Sequence, residues 1–122
     1  MSERITAVLK NYRRFPKVEL HRHLEGSLRL KTMLEVADQH GITIPADVTR
    51  LNSLVTMQEE EGFSFQIFLS KFNTLRLFYR SPDIINRITR EAVEDAAKDN
   101  VQYMELRFTP VALSRVERFP LH

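Results

Sequence analysis

The sequence predicts an α/β fold in which two parallel strands are joined by a helical crossover. An extended apolar run begins at Lys17, and a second one begins at Val101. Between them, apolar residues recur at helical spacing in several segments. Parallel strands need a long crossover of this kind, whereas antiparallel neighbours can be joined by a short hairpin. We therefore predict strand, helices, strand, in that order.

Length and composition indicate one globular segment covering residues 1–122, with 43% hydrophobic residues. The 18 basic and 16 acidic side chains give a net charge of +2, too little for a nucleic-acid-binding surface. No cysteine is present, which excludes disulfides and thiolate metal sites. No apolar run is long enough for a signal peptide or a membrane span. We expect a soluble cytoplasmic protein without nucleic-acid or membrane partners, and nothing in the sequence assigns an oligomeric state.

Three elements are predicted in the first forty residues. Residues 1–12 have the apolar spacing of a short amphipathic helix, and residues 17–21 predict the first strand. A loop is expected over residues 21–27. Ser27 is the expected N-cap of a helix that runs to His40 and stops at the glycine that follows.

The middle of the chain predicts an irregular segment followed by an aromatic helix. Residues 42–57 contain a proline and a short turn near residues 47–54. Ser64 opens a helix with an aromatic and aliphatic stripe that extends to Tyr79. Such a stripe is typical of core packing; the functional alternative is an apolar wall over a ligand pocket.

The last third predicts one long helix and the second strand. Ser81 followed by proline is a typical helix start, and helical spacing continues to Asn100. Residues 101–108 predict the second strand, closed by a Thr-Pro pair. Residues 111–122 show no clear period.

His21 and His23 lie at the end of the predicted first strand. Alternate residues of a strand project from the same face, so both imidazoles point the same way. Neutral imidazole is a good zinc ligand, and a catalytic zinc usually has three protein ligands and a water. The pair predicts part of a metal site; the alternative is two hydrogen-bonded histidines at a loop. Glu25 falls on the same face if the strand geometry continues.

Two other zinc signatures do not match this chain. His23-Leu24-Glu25 fits the His-x-Glu of cytosine deaminases, but those sites also need a Pro-Cys-x-x-Cys segment, and the chain has no cysteine. The His-Glu-x-x-His signature of metalloproteases is absent as well.

Two strands form too small a sheet to bury both faces. A (β/α)₈ barrel typically needs about 250 residues, and 122 residues supply its first quarter to third. The chain is therefore either the N-terminal part of such a barrel or another compact α/β arrangement. Barrel enzymes have their active sites at the carboxyl ends of the strands, where His21 and His23 are placed.

Three motifs resemble the adenosine and adenine deaminases, which are zinc enzymes of the metallo-dependent amidohydrolase superfamily. Lys17-Val-Glu-Leu-His-Arg-His-Leu-Glu-Gly-Ser27 resembles the family's first strand. Phe68-Leu-Ser-Lys-Phe72 resembles its pocket-lining helix, and Asn100-Val-Gln-Tyr-Met-Glu-Leu-Arg-Phe-Thr-Pro110 its second strand. The three occur in order and cover most of residues 16–113.

The resemblance implies a TIM-type (β/α)₈ barrel, of which this chain is the N-terminal part. It also implies one Zn²⁺ per full-length chain and hydrolytic deamination at the purine C6 position. His21 and His23 would be zinc ligands, and the substrate, a purine nucleoside or base, would be contacted by His23, Glu25, Phe68, Leu69 and Phe72. Glu25 stands where nucleoside deaminases usually have Asp, whereas the second-strand motif is of the adenosine type. We favour adenosine, with adenine or another purine derivative, or a different amidohydrolase reaction, as alternatives.

The family's remaining catalytic parts are not found in residues 1–122. These are a third zinc-binding His, a His-Ala-x-Glu segment with the proton-donating Glu, a second catalytic His and a metal-binding Asp. No catalytic residue is therefore assigned in this chain, which we predict to be inactive alone and to bind zinc weakly. A distant alternative is a non-enzymatic helical binding module with incidental histidines.

Overall fold

The computed structural model describes residues 3–45, 47–62 and 64–117. Two strands, β1 (Lys17–His23) and β2 (Val101–Arg107), pair in parallel, as the sequence predicted. The helices between them form the crossover, so the predicted fold class is confirmed. The first strand runs two residues further than predicted and includes His23.

The described residues contain helices at both ends of the chain and between the strands. The helices are α1 (Glu3–Arg14), α2 (Leu30–His40), α3 (Val48–Val55), α4 (Phe65–Leu75), α5 (Pro82–Lys98) and α6 (Pro110–Glu117). Single 3₁₀ turns lie at Leu24–Gly26, Glu59–Glu61 and Arg76–Phe78. None of these helices combines the length and apolarity that crossing a membrane requires.

The pairing of the strands is irregular near the end of β1. Glu19 pairs with Met104 and Arg22 with Leu106, so β1 has one residue more than β2 over this stretch. Such a bulge bends the strand and changes where its side chains point. His21 lies within this stretch, and His23 comes directly after it.

The hydrophobic core lies between the helices and one face of the sheet. Leu51, Phe78, Tyr79 and Ile88 are completely buried there, and Leu106 of β2 packs against this cluster. The sheet also has apolar side chains that nothing in the described ranges covers: Val18, Leu20 and Tyr103 are 63%, 59% and 55% exposed. An uncovered sheet face is what part of a barrel presents.

Polar side chains join α2 to α5. Thr32 Oγ1 donates to Glu91 Oε2 at 2.6 Å, and Arg87 Nε donates to Glu91 Oε1 at 2.9 Å. Burial favours the neutral form of Glu91, but these hydrogen bonds outweigh it and hold the pKa of its carboxyl below the ordinary value. Since Glu91 is 7% exposed, these bonds satisfy a carboxylate that would otherwise be costly to bury.

An arginine forms a second link between the same helices. Arg29 donates to both carboxylate oxygens of Asp95, at 2.7 and 2.9 Å, and to Glu94 at 3.1 Å. The hydrogen bonds from Arg29 hold the pKa of Asp95 below its ordinary value. A bidentate pair of this geometry fixes the start of α2 against the C-terminal half of α5.

Several helix boundaries differ from the sequence prediction. The first helix ends at Arg14 rather than at residue 12, and α5 ends at Lys98 rather than at Asn100. Ser27 was predicted to cap α2, but the helix begins at Leu30 with Arg29 as its N-cap. The Ser27 hydroxyl instead donates back to His23 O at 2.9 Å, so it stabilises the turn after β1. The aromatic helix ends at Leu75 rather than Tyr79, because the chain tightens into a 3₁₀ turn.

The segment after β2 also differs from its prediction. It was expected to lack a period, but α6 begins at Pro110. Proline at the first turn of a helix was the available signal. Residues 1 and 2 of the predicted first helix, and residues 118–122 including His122, lie outside the described ranges. The short turn predicted near residues 47–54 is α3, with the Asp47 side chain accepting from Thr49 N.

Candidate active site

His21 and His23 converge at the C-terminal end of β1. Their Nε2 atoms are 3.0 Å apart, and the ring centroids are 4.9 Å apart with 49° between the planes. His21 is exposed and His23 is partly buried. The prediction that both imidazoles project to the same side is therefore confirmed.

The two Nε2 atoms fit two positions of a single tetrahedral zinc site. Zinc–nitrogen bonds of about 2.0–2.1 Å in tetrahedral geometry separate two ligand nitrogens by about 3.3 Å. The observed 3.0 Å is close to that separation. Within the described ranges, no group of three or more His, Cys, Asp or Glu residues is arranged to hold a metal. The histidines thus fit a zinc ion that takes its other ligands from elsewhere.

The turn after β1 is held by three hydrogen bonds. Ser27 N donates to Leu24 O at 3.0 Å, and Ser27 Oγ donates to His23 O at 2.9 Å. Tyr79 Oη donates to Leu24 O at 2.8 Å from the far side of the core. The backbone on the C-terminal side of His23 is therefore fixed, although the imidazole itself is partly exposed.

Glu25 bridges the ends of the two strands. Its side chain is completely buried, and Oε1 accepts from Thr109 N at 2.8 Å just beyond β2. Its Oε2 lies 3.9 Å from His23 Nδ1 and has no hydrogen-bond partner among the described residues. Burial, with the negative charge of Glu25 adding to it, raises the pKa of Tyr79 above its ordinary value. The phenol therefore stays protonated and able to donate.

Aromatic side chains of α4 form an apolar wall beside the histidines. The Phe72 ring lies edge-on to His23, with 5.9 Å between centroids, and Phe68 lies 5.3 Å from Phe72. The Arg76 guanidinium lies 5.6 Å from the Phe72 centroid, within cation–π range. The wall is accessible, since Phe68 is 38% exposed and Leu69 46% exposed.

A buried lysine fixes α4 in this position. Lys71 Nζ donates to Ser53 O at 2.8 Å and to Glu61 Oε1 at 2.7 Å. The hydrogen bond from Lys71 is the largest contribution that lowers the pKa of Glu61. Lys71 therefore ties α4 to both α3 and the turn at Glu61. Sequence reasoning missed this residue, although a lysine within an aromatic stripe was a visible signal.

The structure brings together five of the six predicted metal and substrate residues. His21, His23 and Glu25 lie at the end of β1, and Phe72 contacts His23 with Phe68 packed against it. Leu69, the sixth, lies on the same helix and is exposed. Their roles toward zinc and substrate stay predictions.

Three further residues that support the site were not predicted. They are Thr109, Tyr79 and Lys71, which act through a backbone N–H, a phenol and a buried ammonium. The partners of Thr109 and Tyr79 are 84 and 55 residues away in the sequence. No local pattern identifies contacts over such separations.

Comparison with known proteins adds a family match. The family model described as Adenosine deaminase matches residues 16–118. The adenosine deaminase of Shewanella woodyi is 39% identical over 101 residues, which is 82% of this chain and 30% of that protein. The chain thus spans 30% of the length of this curated relative.

Two solved structures are similar to this chain. A zinc-bound amidohydrolase from Burkholderia ambifaria superposes with a TM-score of 0.73 at 28% identity, covering 98% of this chain and 31% of that one. The apo N6-methyl-AMP deaminase of Arabidopsis thaliana gives a TM-score of 0.60 at 31% identity, covering 84% and 28%. The strand pair and its helices therefore correspond to part of an amidohydrolase barrel.

Proposed function

The chain belongs to the adenosine deaminase family, and from that premise we propose that it supplies two zinc ligands and one pocket wall of a hydrolytic deaminase. The reaction proposed for the full-length enzyme converts adenosine and water to inosine and ammonia at the purine C6 position. The observation that carries the proposal is the 3.0 Å approach of His21 Nε2 and His23 Nε2 at the end of β1.

His21 and His23 would hold the zinc through their Nε2 atoms. A bound zinc ion supplies Lewis-acid activation of water at neutral pH. The turn after His23 fixes the backbone that carries its imidazole, since Leu24 O and His23 O are both hydrogen-bonded. The remaining ligands, the proton-donating Glu and the second catalytic His are expected outside residues 1–122, so the chain alone is predicted to be inactive.

The aromatic wall would exclude water from one side of the purine. Phe68, Leu69 and Phe72 are the proposed apolar contacts, and Lys71 fixes the helix that presents them. His23 and Glu25 are the proposed polar contacts to the substrate. In Glu25 the candidate acceptor is Oε2, because Oε1 already accepts from Thr109 N.

The cellular compartment and the class of partner are proposed from the amino-acid composition. The chain has no cysteine and a net charge of +2, which favours a cytoplasmic enzyme acting on a small purine rather than on nucleic acid or a membrane.

A second candidate is deamination of adenine or another purine derivative. Glu25 supports it, because the nucleoside deaminases that the first motif resembles usually have Asp at this position. The similarity to an N6-methyl-AMP deaminase, at 31% identity, supports it as well.

The test is hydrolysis at C6 by the full-length enzyme of adenosine and adenine, which release ammonia, and of N6-methyl-AMP, which releases methylamine. The 6-oxopurine product is measured in each case. We expect the highest kcat/KM with adenosine. A higher value with either other purine would support the second candidate, and no 6-oxopurine product from any of them would contradict a purine deaminase. The Glu25→Asp variant shows whether this position sets the preference: an unchanged order of substrates would exclude that role.

A further inference from the structure

The two nitrogens of the His23 ring face different partners. Nε2 lies 3.0 Å from His21 Nε2, whereas Nδ1 lies 3.9 Å from Glu25 Oε2. A neutral imidazole has one N–H and one lone pair, and its surroundings decide which nitrogen keeps the proton. Only a nitrogen with its lone pair free can bind a metal.

Glu25 is a rigid acceptor on the Nδ1 side. It has no exposed surface, and its Oε1 is fixed by the Thr109 N–H at 2.8 Å. Its Oε2 is buried without a hydrogen-bond partner in the described part of the chain. A buried carboxylate oxygen without a donor is costly, so a donor within reach is strongly favoured.

Other polar groups around this turn are already engaged. Tyr79 Oη gives its proton to Leu24 O at 2.8 Å, and Ser27 Oγ gives its proton to His23 O at 2.9 Å. His23 Nδ1 needs to move about one ångström to reach hydrogen-bond distance from Oε2. The χ2 torsion of histidine is broad enough to allow that movement at little cost.

We propose that Glu25 is a positioning residue for His23, accepting a hydrogen bond from Nδ1–H so that the Nε2 lone pair faces the metal site. The inference rests on the proposed zinc-binding function and assigns Glu25 a role that acts through His23. Carboxylates commonly fix metal-binding histidines in this way. Without zinc, His23 Nε2 is then the acceptor in the pair, and His21 Nε2–H donates to it.

The experiment reads the tautomers directly in the metal-free full-length protein. Nitrogen chemical shifts of the imidazole rings are recorded at about pH 8.5, above the ordinary histidine pKa of about 6.5. We expect the proton of His23 on Nδ1 and that of His21 on Nε2. A proton on His23 Nε2 in the unmodified chain would overturn the proposal, whatever any variant does.

The Glu25→Gln variant tests the cause. Thr109 N still needs an acceptor, so the amide oxygen replaces Oε1 and the amide nitrogen, a donor, replaces Oε2. We expect the proton of His23 to move to Nε2, and zinc binding to weaken about 10- to 100-fold. Unchanged tautomers in the folded variant would contradict the proposal. Glu35→Gln on α2 is the matched control, and the His40 signals should not change in either variant.

The tautomer measurement is independent of the reaction. Absence of deaminase activity in the full-length enzyme, with the predicted tautomers present, would reject the proposed reaction and leave the role of Glu25 standing. Purine deamination by the full-length enzyme, with the neutral His23 ring carrying its proton on Nε2 in the metal-free protein, would support the proposed reaction and reject the role of Glu25.

Discussion

Tyr79 donates a 2.8 Å hydrogen bond to the carbonyl oxygen of Leu24, the residue that follows His23, a proposed zinc ligand. Tyr79 has no exposed surface and lies beyond the end of the aromatic helix, 55 residues further along the chain. The bond therefore connects the core to the turn that fixes the candidate site.

Replacing Tyr79 with Phe should lower the free energy of unfolding by about 1–2 kcal/mol, because a buried carbonyl oxygen loses its donor. The measurement is urea denaturation of the 122-residue chain. Tyr103→Phe is the control. Because Tyr103 is 55% exposed, losing its hydroxyl should lower the free energy of unfolding by less than about 0.5 kcal/mol. Equal effects of the two variants would contradict the role assigned to Tyr79.

The link between Arg29 and Asp95 predicts a specific pH dependence. Arg29 lowers the pKa of Asp95 in the folded state. The stabilisation is therefore complete above the unfolded-state pKa of about 3.9 and is lost as the pH falls through the lower folded-state pKa. Arg29→Gln should lower the free energy of unfolding modestly at neutral pH, because a partly exposed ion pair is screened by solvent.

That cost should shrink as the pH falls below about 4, because protonated Asp95 no longer attracts Arg29. Unfolding curves of both proteins across the acidic range measure it. Arg90→Gln is the matched control. Arg90 is mostly exposed, and its Nε is 3.9 Å from Glu94 Oε1, which is too long for a hydrogen bond. A cost that stays constant down to acidic pH would show that Arg29 acts by packing rather than by charge.

The apolar wall predicts a kinetic effect with little change in stability. Phe68→Ala in the full-length enzyme should lower kcat/KM for adenosine roughly tenfold, equivalent to losing about 1.4 kcal/mol of contact with the purine. Because Phe68 is 38% exposed, unfolding should change little. Phe15→Ala, at the opposite end of β1 and 59% exposed, is the control. An unchanged kcat/KM for Phe68→Ala would show that Phe68 does not contact the purine.

Local patterns predicted the elements that depend on local geometry. The alternation of His21 and His23 along one strand follows from the two-residue period, and their Nε2 atoms do converge. The Ser81–Pro82 start of α5 is also confirmed, with Ser81 Oγ accepting from Ile84 N. These features involve residues only a few positions apart.

The wrong prediction at Ser27 reflects a competing local partner, whereas the missing predictions involve partners far away in the sequence. Ser27 has the chemistry of a helix cap, yet its hydroxyl donates to His23 O and the helix begins later. The buried Thr32–Glu91 hydrogen bond joins residues 59 positions apart. Glutamate side chains are mostly exposed, but the Glu25 side chain is buried and accepts a hydrogen bond from Thr109 N. Only the tertiary fold brings such pairs together.

The zinc content of the full-length protein tests the central claim most directly. We predict about one zinc per chain, with tight binding lost in both His21→Ala and His23→Ala and retained in His40→Ala, which removes a histidine at the end of α2. Elemental analysis after dialysis against a weak chelator measures it. A folded full-length protein without zinc, or zinc fully retained when His21 and His23 are replaced, would contradict the assignment of these two histidines as metal ligands.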